Sequence, residues 1–297
     1  MMVIPKNLKY HIALLVANAT FGSNYAFYEK LIDDGVSSDS LYFLRTVSMF
    51  IFFFPAMFLL GKGRIDPKDI WRIIIVTLLI VIGRLYFMLR AMNYTSPIDG
   101  SIIATTGPAI VLILSIVALK YRATKWQYAG VALGFAGALT LILCNAKAGA
   151  VFSGKMLGNI LLFISIVLSA INTLYIKGLY KRYHPVTIIG WAYAIGMLFV
   201  VPMFGRDFFS NDFALWNLST WSYVVYVGLF GTVISSALLY YGLSGISATK
   251  SEIYIYIQPF SGTVMAILFG QDHLTVITVA ASILIFSGLF CMDKGKS

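Results

Sequence analysis

The chain is 297 residues long, 59% hydrophobic and only 11% charged, with a mean hydropathy of +0.85. That composition excludes a water-soluble enzyme or binding module, which needs far more charge at this length. The formal net charge of +10 would point to nucleic acid in a soluble protein, but here the basic residues sit in short segments between apolar runs, so the expected partner is the lipid bilayer and not a nucleic acid.

A membrane-spanning helix needs roughly 20 mostly apolar residues. Reading from one charged cluster to the next predicts ten spans, at 10–29, 38–60, 70–91, 98–119, 124–144, 155–177, 185–205, 220–243, 249–270 and 274–292. Lys6 and Lys9 precede the first run, but no small-residue cleavage site follows it, so the run reads as a span and not as a leader. The short connections make neighbouring spans antiparallel. Trp216 and Trp221, in the polar stretch before span eight, read as interface anchors. With the N-terminus inside, fifteen Lys and Arg fall in inside segments and five in outside segments, Arg45 and Arg84 lying within spans. The positive-inside bias then places both termini in the cytoplasm, with the chain in the inner (cytoplasmic) membrane.

The sequence repeats itself weakly. At a shift of 151, Pro108 meets Pro259, Ser96 meets Ser247, Ile102 meets Ile253 and Gly137 meets Gly288. At a shift of 147, Leu14 meets Leu161, Tyr28 meets Tyr175 and Pro55 meets Pro202. Basic loops of one half correspond to acidic or neutral loops of the other: Lys120, Arg122 and Lys125 match Gln271, Asp272 and His273, while Lys177, Lys181 and Arg182 match Glu29, Lys30, Asp33 and Asp34. The pair Arg90 and Lys250 is nearly neutral in this respect. Five spans per half is an odd number, so equivalent loops lie on opposite faces. The expected fold is all-α integral membrane, with two inverted five-helix repeats, 1–147 and 148–297, forming one transport domain.

Several stretches carry a family likeness. Arg90-Ala-Met-Asn-Tyr-Thr-Ser96 leads to Thr106-Gly-Pro108, Gly242-Leu-Ser-Gly-Ile-Ser247 leads to Ile257-Gln-Pro259, and Phe21-Gly22-Ser23-Asn24 stands in the first span. In these the chain resembles the drug/metabolite transporter superfamily, in its ten-helix EamA-like branch. It departs from that pattern where Tyr121 replaces the acidic residue that follows the first proline helix; Asp272 keeps the second. The resemblance implies a carrier working by alternating access, with a central cavity lined by spans one, three, four, six, eight and nine. It does not specify cargo.

The twelve carboxylates all fall at span ends or in loops, so no mid-membrane acid is available for a buried proton relay. Glu29 and Glu252, near span ends, are the nearest to one. Two cations do lie within spans. Arg84 is read as the ligand of a carboxylate or phosphate on the cargo, since a guanidinium suits bidentate anion recognition. Arg45 is read as extending to the outer interface or bonding backbone carbonyls. Thr20, Asn24 and Tyr28 form a stripe on one helix face, as do Ser165, Ser169, Thr173 and Lys177 with Asn172 alongside. The candidate binding set is Asn24, Arg84, Thr105, Asn172, Tyr240 and Tyr254, with Tyr241 and Tyr256 flanking the same break. Pro108 and Pro259 are candidate hinges, each freeing a backbone carbonyl near mid-membrane.

A membrane enzyme is the rival class. Gly242-Leu243-Ser244-Gly245 matches a serine-nucleophile string, but His11, His184 and His273 are all placed away from Ser244, and the string reads as a turn. No HExxH or paired acidic motif occurs, and Cys144 and Cys291 lack metal-ligand spacing, so no catalytic residue, metal or cofactor is expected. The expected cargo is a small polar metabolite, an amino acid or related compound first. A flippase or carrier of a lipid-linked or nucleotide-sugar substrate is the alternative, and the assembly is a monomer or homodimer.

Overall fold

The computed structural model describes residues 8–144, 154–245, 254–255 and 257–294. The side chains of Cys144, Lys177 and Ser244, together with Lys6, Lys147, Ser247, Lys250, Glu252, Ile253, Tyr256 and the expected repeat boundary at 147–148, lie outside the described residues.

Every described element is helical. The chain runs α1 (Leu8–Asp33), α2 (Ser38–Leu59), α3 (Pro67–Ala91), α4 (Pro97–Ala104), α5 (Gly107–Leu119), α6 (Lys125–Cys144), α7 (Gly154–Tyr180), α8 (Pro185–Phe209), α9, α10 (Ile257–Leu268) and α11 (Val276–Lys294). Helix α9 is made of the stretches Leu218–Val225, Tyr226–Ile234 and Ser235–Gly245. Six described helical stretches are long and apolar enough to cross a membrane. Helix α1 is not among them despite its 26 residues, because Asn18, Thr20, Ser23 and Asn24 interrupt its apolar run.

Packing follows the repeat. Helix α1 packs on α9 and α10, and its counterpart α7 packs on α3, α4 and α5. Helix α2 pairs with α8, and α6 with α11, each pair being equivalent elements of the two halves. This is a two-fold arrangement. Small residues bring backbones together where no hydrophobic force distinguishes protein from lipid. A Cβ on Gly288 would lie 2.6 Å from the Gly130 carbonyl, and one on Gly137 would lie 2.8 Å from the Ala281 carbonyl.

Two features were not legible in the hydropathy. The first is a π-helical stretch, Thr77–Arg84 in α3 and Tyr226–Ile234 in α9, which begins 149 positions later in the second half. Such widened turns recur at functional sites. The second is the form of the break at Pro108. Span four is two helices, and Pro108 does not kink a continuous one: it occupies the first turn of α5, where a missing N–H is tolerated. Thr105 and Thr106 make the break, their N–H groups bonding the Ile102 and Ile103 carbonyls. Pro108 offers no N–H to the Ala104 carbonyl. Pro259 is the third residue of α10 as described, Ile257–Leu268. Gly242–Gly245, expected to be a turn, is helical and part of α9 instead.

Loop contacts sort the connections into two faces. On the face where α1 begins, Asp69 at the start of α3 pairs with Arg72 at 3.2 Å and with Arg182 of the α7–α8 connection at 2.6 Å, and accepts from Tyr183 Oη at 2.7 Å. On the opposite face, Thr220 at the start of α9 donates to Asp34 at 2.6 Å. Thr220 stands 151 positions after Asp69, and Asp34 stands 147 before Lys181, so the two closures use equivalent places. Also on that face, Asp99 is buried against Lys155 at 3.0 Å, and Arg90 holds Asp39 at 2.8 Å.

Candidate functional site

Helix α2 begins at Ser38 and α3 ends at Ala91, so Arg45 and Arg84 each sit seven residues inside their helix. That is about 10 Å from the end at α-helical rise. Arg45 does not reach the interface. It is 8% exposed, its Nε donates to Thr232 Oγ1 at 3.0 Å, and its guanidinium lies 5.2 Å from the centroid of the Tyr28 ring. A cation over an aromatic face in a dry site is favourable by about 2 kcal/mol. It replaces only part of the hydration that Arg45 gave up.

Thr232 belongs to the π stretch of α9, and its Oγ1 bonds the Val227 carbonyl five residues back, as the wider turn allows. Its neighbour Gly231 presents its carbonyl to Asn24 Nδ2 at 2.6 Å. Asn24 is 2% exposed, and a Cβ on Gly231 would lie 1.8 Å from Asn24 Oδ1, so only glycine fits beneath this amide. Arg84 closes the π stretch of α3 and is half-buried. Its charge acts on Tyr25, Tyr28, Tyr193 and Tyr240, and that of Arg45 acts on Tyr25, Tyr28 and Tyr193. Both charges are thus felt at Tyr25, Tyr28 and Tyr193, and Arg45 lies over the Tyr28 ring. Among the described residues neither arginine forms an ion pair.

The other sequence candidates are distributed over several elements. Tyr240 hydrogen-bonds Tyr180 and, with Tyr193, packs against the cluster of Met49, Phe53, Ile189 and Val233. Asn172 is 7% exposed with a buried, unpartnered Oδ1, one turn along α7 from Leu168, whose Cδ1 would lie 2.9 Å from a Cβ on Gly83. It therefore faces the π stretch of α3. Thr105 is fully buried and gives its hydroxyl to the Ile102 carbonyl at 2.7 Å. Tyr254 is bonded to His11 at the face where α1 begins, away from the arginines. The stripe hydroxyls of Thr20 and Thr173 bond carbonyls four residues back on their own helices. Of the other histidines, His184 caps α8 and His273 is exposed.

Arg45's inward turn, Gly231, Thr232 and Tyr193 were missed by sequence reasoning. Only Tyr28 had a signal, its four-residue spacing from Asn24.

The sequence pattern of the EamA-like transporter family matches residues 8–143 and again 156–292. The chain is 22% identical over 294 residues to the "Uncharacterized transporter YetK" of Bacillus subtilis, covering 97% of this chain and 88% of that one. It is 25% identical over 243 residues to an "Uncharacterized transporter" of Archaeoglobus fulgidus, covering 82% and 84%. A "WAT1-related protein" of Arabidopsis thaliana is 22% identical over 331 residues, covering all of this chain and 88% of that one. A solved crystal structure superposes with a TM-score of 0.65 at 17% identity, covering 94% of this chain and 95% of that one, which shows the same fold.

Proposed function

Because the chain belongs to the EamA-like transporter family and is a multi-pass membrane transporter, we propose that it carries small carboxylate-bearing metabolites, amino acids and related compounds first, by alternating access across the inner membrane, with both termini cytoplasmic. The observation that carries this reading is the Arg45 guanidinium, buried against Thr232 and Tyr28, with the half-buried Arg84 charge acting on the same tyrosine and no ion pair at either among the described residues. A buried cation costs several kcal/mol unless an anion compensates it. An anionic cargo supplies that compensation during transport and withdraws it on release.

Alternating access is supported by the two-fold packing and by polar closures at equivalent positions on both faces, Asp69 with Arg182 and Asp34 with Thr220. A carrier needs one closure to open while the other holds. The cytoplasmic assignment of the termini rests on the Lys and Arg bias.

The test is a thermal-shift screen of the detergent-purified protein against amino acids, organic acids, amines, nucleosides, sugar phosphates and lipid-linked sugars. A ligand that binds only the folded state raises its stability with the logarithm of concentration over Kd. The expected hit bears a carboxylate, and its affinity falls about tenfold or more in Arg84→Gln, the loss of one charged hydrogen bond. A carboxylate-bearing hit that binds Arg84→Gln unchanged removes Arg84 from the site. A blank for every carboxylate, with a response to lipid-linked sugars, replaces the reading with a flippase.

A further inference from the structure

We infer that Arg45 and Asn24 form a two-point subsite that reads a carboxylate together with an N–H or O–H donor on the adjoining carbon, the shared chemistry of α-amino and α-hydroxy acids. The inference rests on the carrier reading above and adds the atoms that select the cargo. It also brings in the second span, which lies outside the set of cavity-lining spans that the family resemblance implies.

Both side chains hang from one dipeptide. Arg45 Nε is fixed to Thr232 Oγ1 at 3.0 Å, and Asn24 Nδ2 to the Gly231 carbonyl at 2.6 Å. Each anchor leaves one polar atom buried without a partner, and the two are of opposite sense: Arg45 Nη1 is a donor and Asn24 Oδ1 an acceptor. The side chains are 8% and 2% exposed, so neither atom is turned toward bulk solvent in this closed arrangement. An unmet buried polar atom costs about 1–3 kcal/mol, more when charged. Two of them on adjoining supports make a site whose cost a complementary ligand relieves.

The supports also set direction. The Thr232 bond and the Tyr28 ring hold the guanidinium, so Nη1 is aimed before cargo arrives. Gly231 admits the Asn24 amide because any Cβ there would meet Oδ1 at 1.8 Å. A simple carboxylic acid satisfies Nη1 alone, and a simple amine satisfies Oδ1 alone. Only a molecule with both groups relieves both atoms. A site built to hydrogen-bond a substrate N–H or O–H rejects the analogue that lacks it, because its own polar group is then left unpaired.

The experiment is a thermal-shift titration of the purified full-length protein with matched trios sharing one side chain: the α-amino acid, the 2-hydroxy acid and the unsubstituted acid. In at least one trio the amino or hydroxy member is expected to bind tenfold or more tightly than the unsubstituted acid. Preference for the amino member identifies an ammonium as the donor, and preference for the hydroxy member identifies a hydroxyl. Asn24→Ala is expected to erase that preference while carboxylate binding remains. Arg45→Lys, which keeps the charge and loses the fork, weakens every member tenfold or more. Should Arg45→Lys not fold, the Asn24→Ala discrimination decides alone. An unsubstituted acid that binds as tightly as its partners overturns the subsite, as does a folded Asn24→Ala with unchanged discrimination. Either result leaves an acid-binding carrier standing. A panel with no binder overturns the subsite, and uptake of other solutes into proteoliposomes then judges the carrier reading separately.

Discussion

Gly22→Ala is expected to cost about 3 kcal/mol or more and to lower the melting temperature of the purified protein by several degrees, because it overpacks a backbone contact. A Cβ at Gly22 would lie 2.1 Å from the Gln258 carbonyl oxygen and 2.6 Å from Gln258 Cα. Neither atom belongs to a side chain that can rotate aside, so α1 must move off α10. From the other side, a Cβ on Gly262 would lie 3.0 Å from the Gly22 carbonyl and 2.8 Å from Ser101 Cβ, so α4 is part of the same junction. The movement also breaks the bond from Gln258 Nε2 to Asn18 Oδ1, now 2.8 Å, and displaces Asn24 from Gly231. Ligand binding is therefore lost together with stability. Gly178 is the control. A Cβ there meets nothing within 4 Å, so Gly178→Ala is expected to be neutral or stabilising by roughly 0.5–1 kcal/mol, the helix-propensity gain. Equal melting temperatures for the two variants would show that α1 and α10 do not touch at Gly22.

The second large effect is expected at Asp69. Asp69 is 2% exposed, ties α3 to the α7–α8 connection through Arg182 and Tyr183, and pairs within α3 with Arg72. The same junction is sewn by Trp191 Nε1 to the Gly63 carbonyl at 3.0 Å and by Thr187 to the Lys62 carbonyl. The hydrogen bond it donates to Asp69 holds the Tyr183 hydroxyl above the usual tyrosine range, since the proton is needed for the bond. Asp69→Ala is expected to cost about 2 kcal/mol, less than a fully buried pair, because Arg72 and Arg182 are 40% and 49% exposed and return to water. It also favours the conformation open on this face. Thr187→Cys, at a position 1% exposed in the closed state, should then react faster with a membrane-impermeant maleimide applied from the face where α1 begins. Asp34→Ala, which removes one hydrogen bond from Thr220 on the opposite face, is expected to cost about 1 kcal/mol. Unchanged Thr187→Cys labelling in Asp69→Ala would mean that this pair does not close the face.

Much of this fold was legible along the chain. Apolar runs long enough for a bilayer, separated by charge, mark the helices, because span length is set by membrane thickness and shows locally in composition. The weak 147- and 151-residue repeat and the reversed loop charges anticipated the two-fold packing of α1 on α9 and α10 against α7 on α3, α4 and α5. Asn24 and Arg84 were singled out because polar groups are scarce and costly in such a chain. Tertiary structure alone decided which way Arg45 turns, that Thr105 and Thr106 break span four ahead of Pro108, and that π stretches in α3 and α9 carry Arg84, Gly231 and Thr232. The physical reason is that lipid is as apolar as a protein core. The hydrophobic period that separates inside from outside in a soluble helix is therefore nearly absent here. The facing of each side chain is set by which neighbouring helix comes close, through glycines such as Gly22 and Gly231, and that depends on contacts between residues hundreds of positions apart.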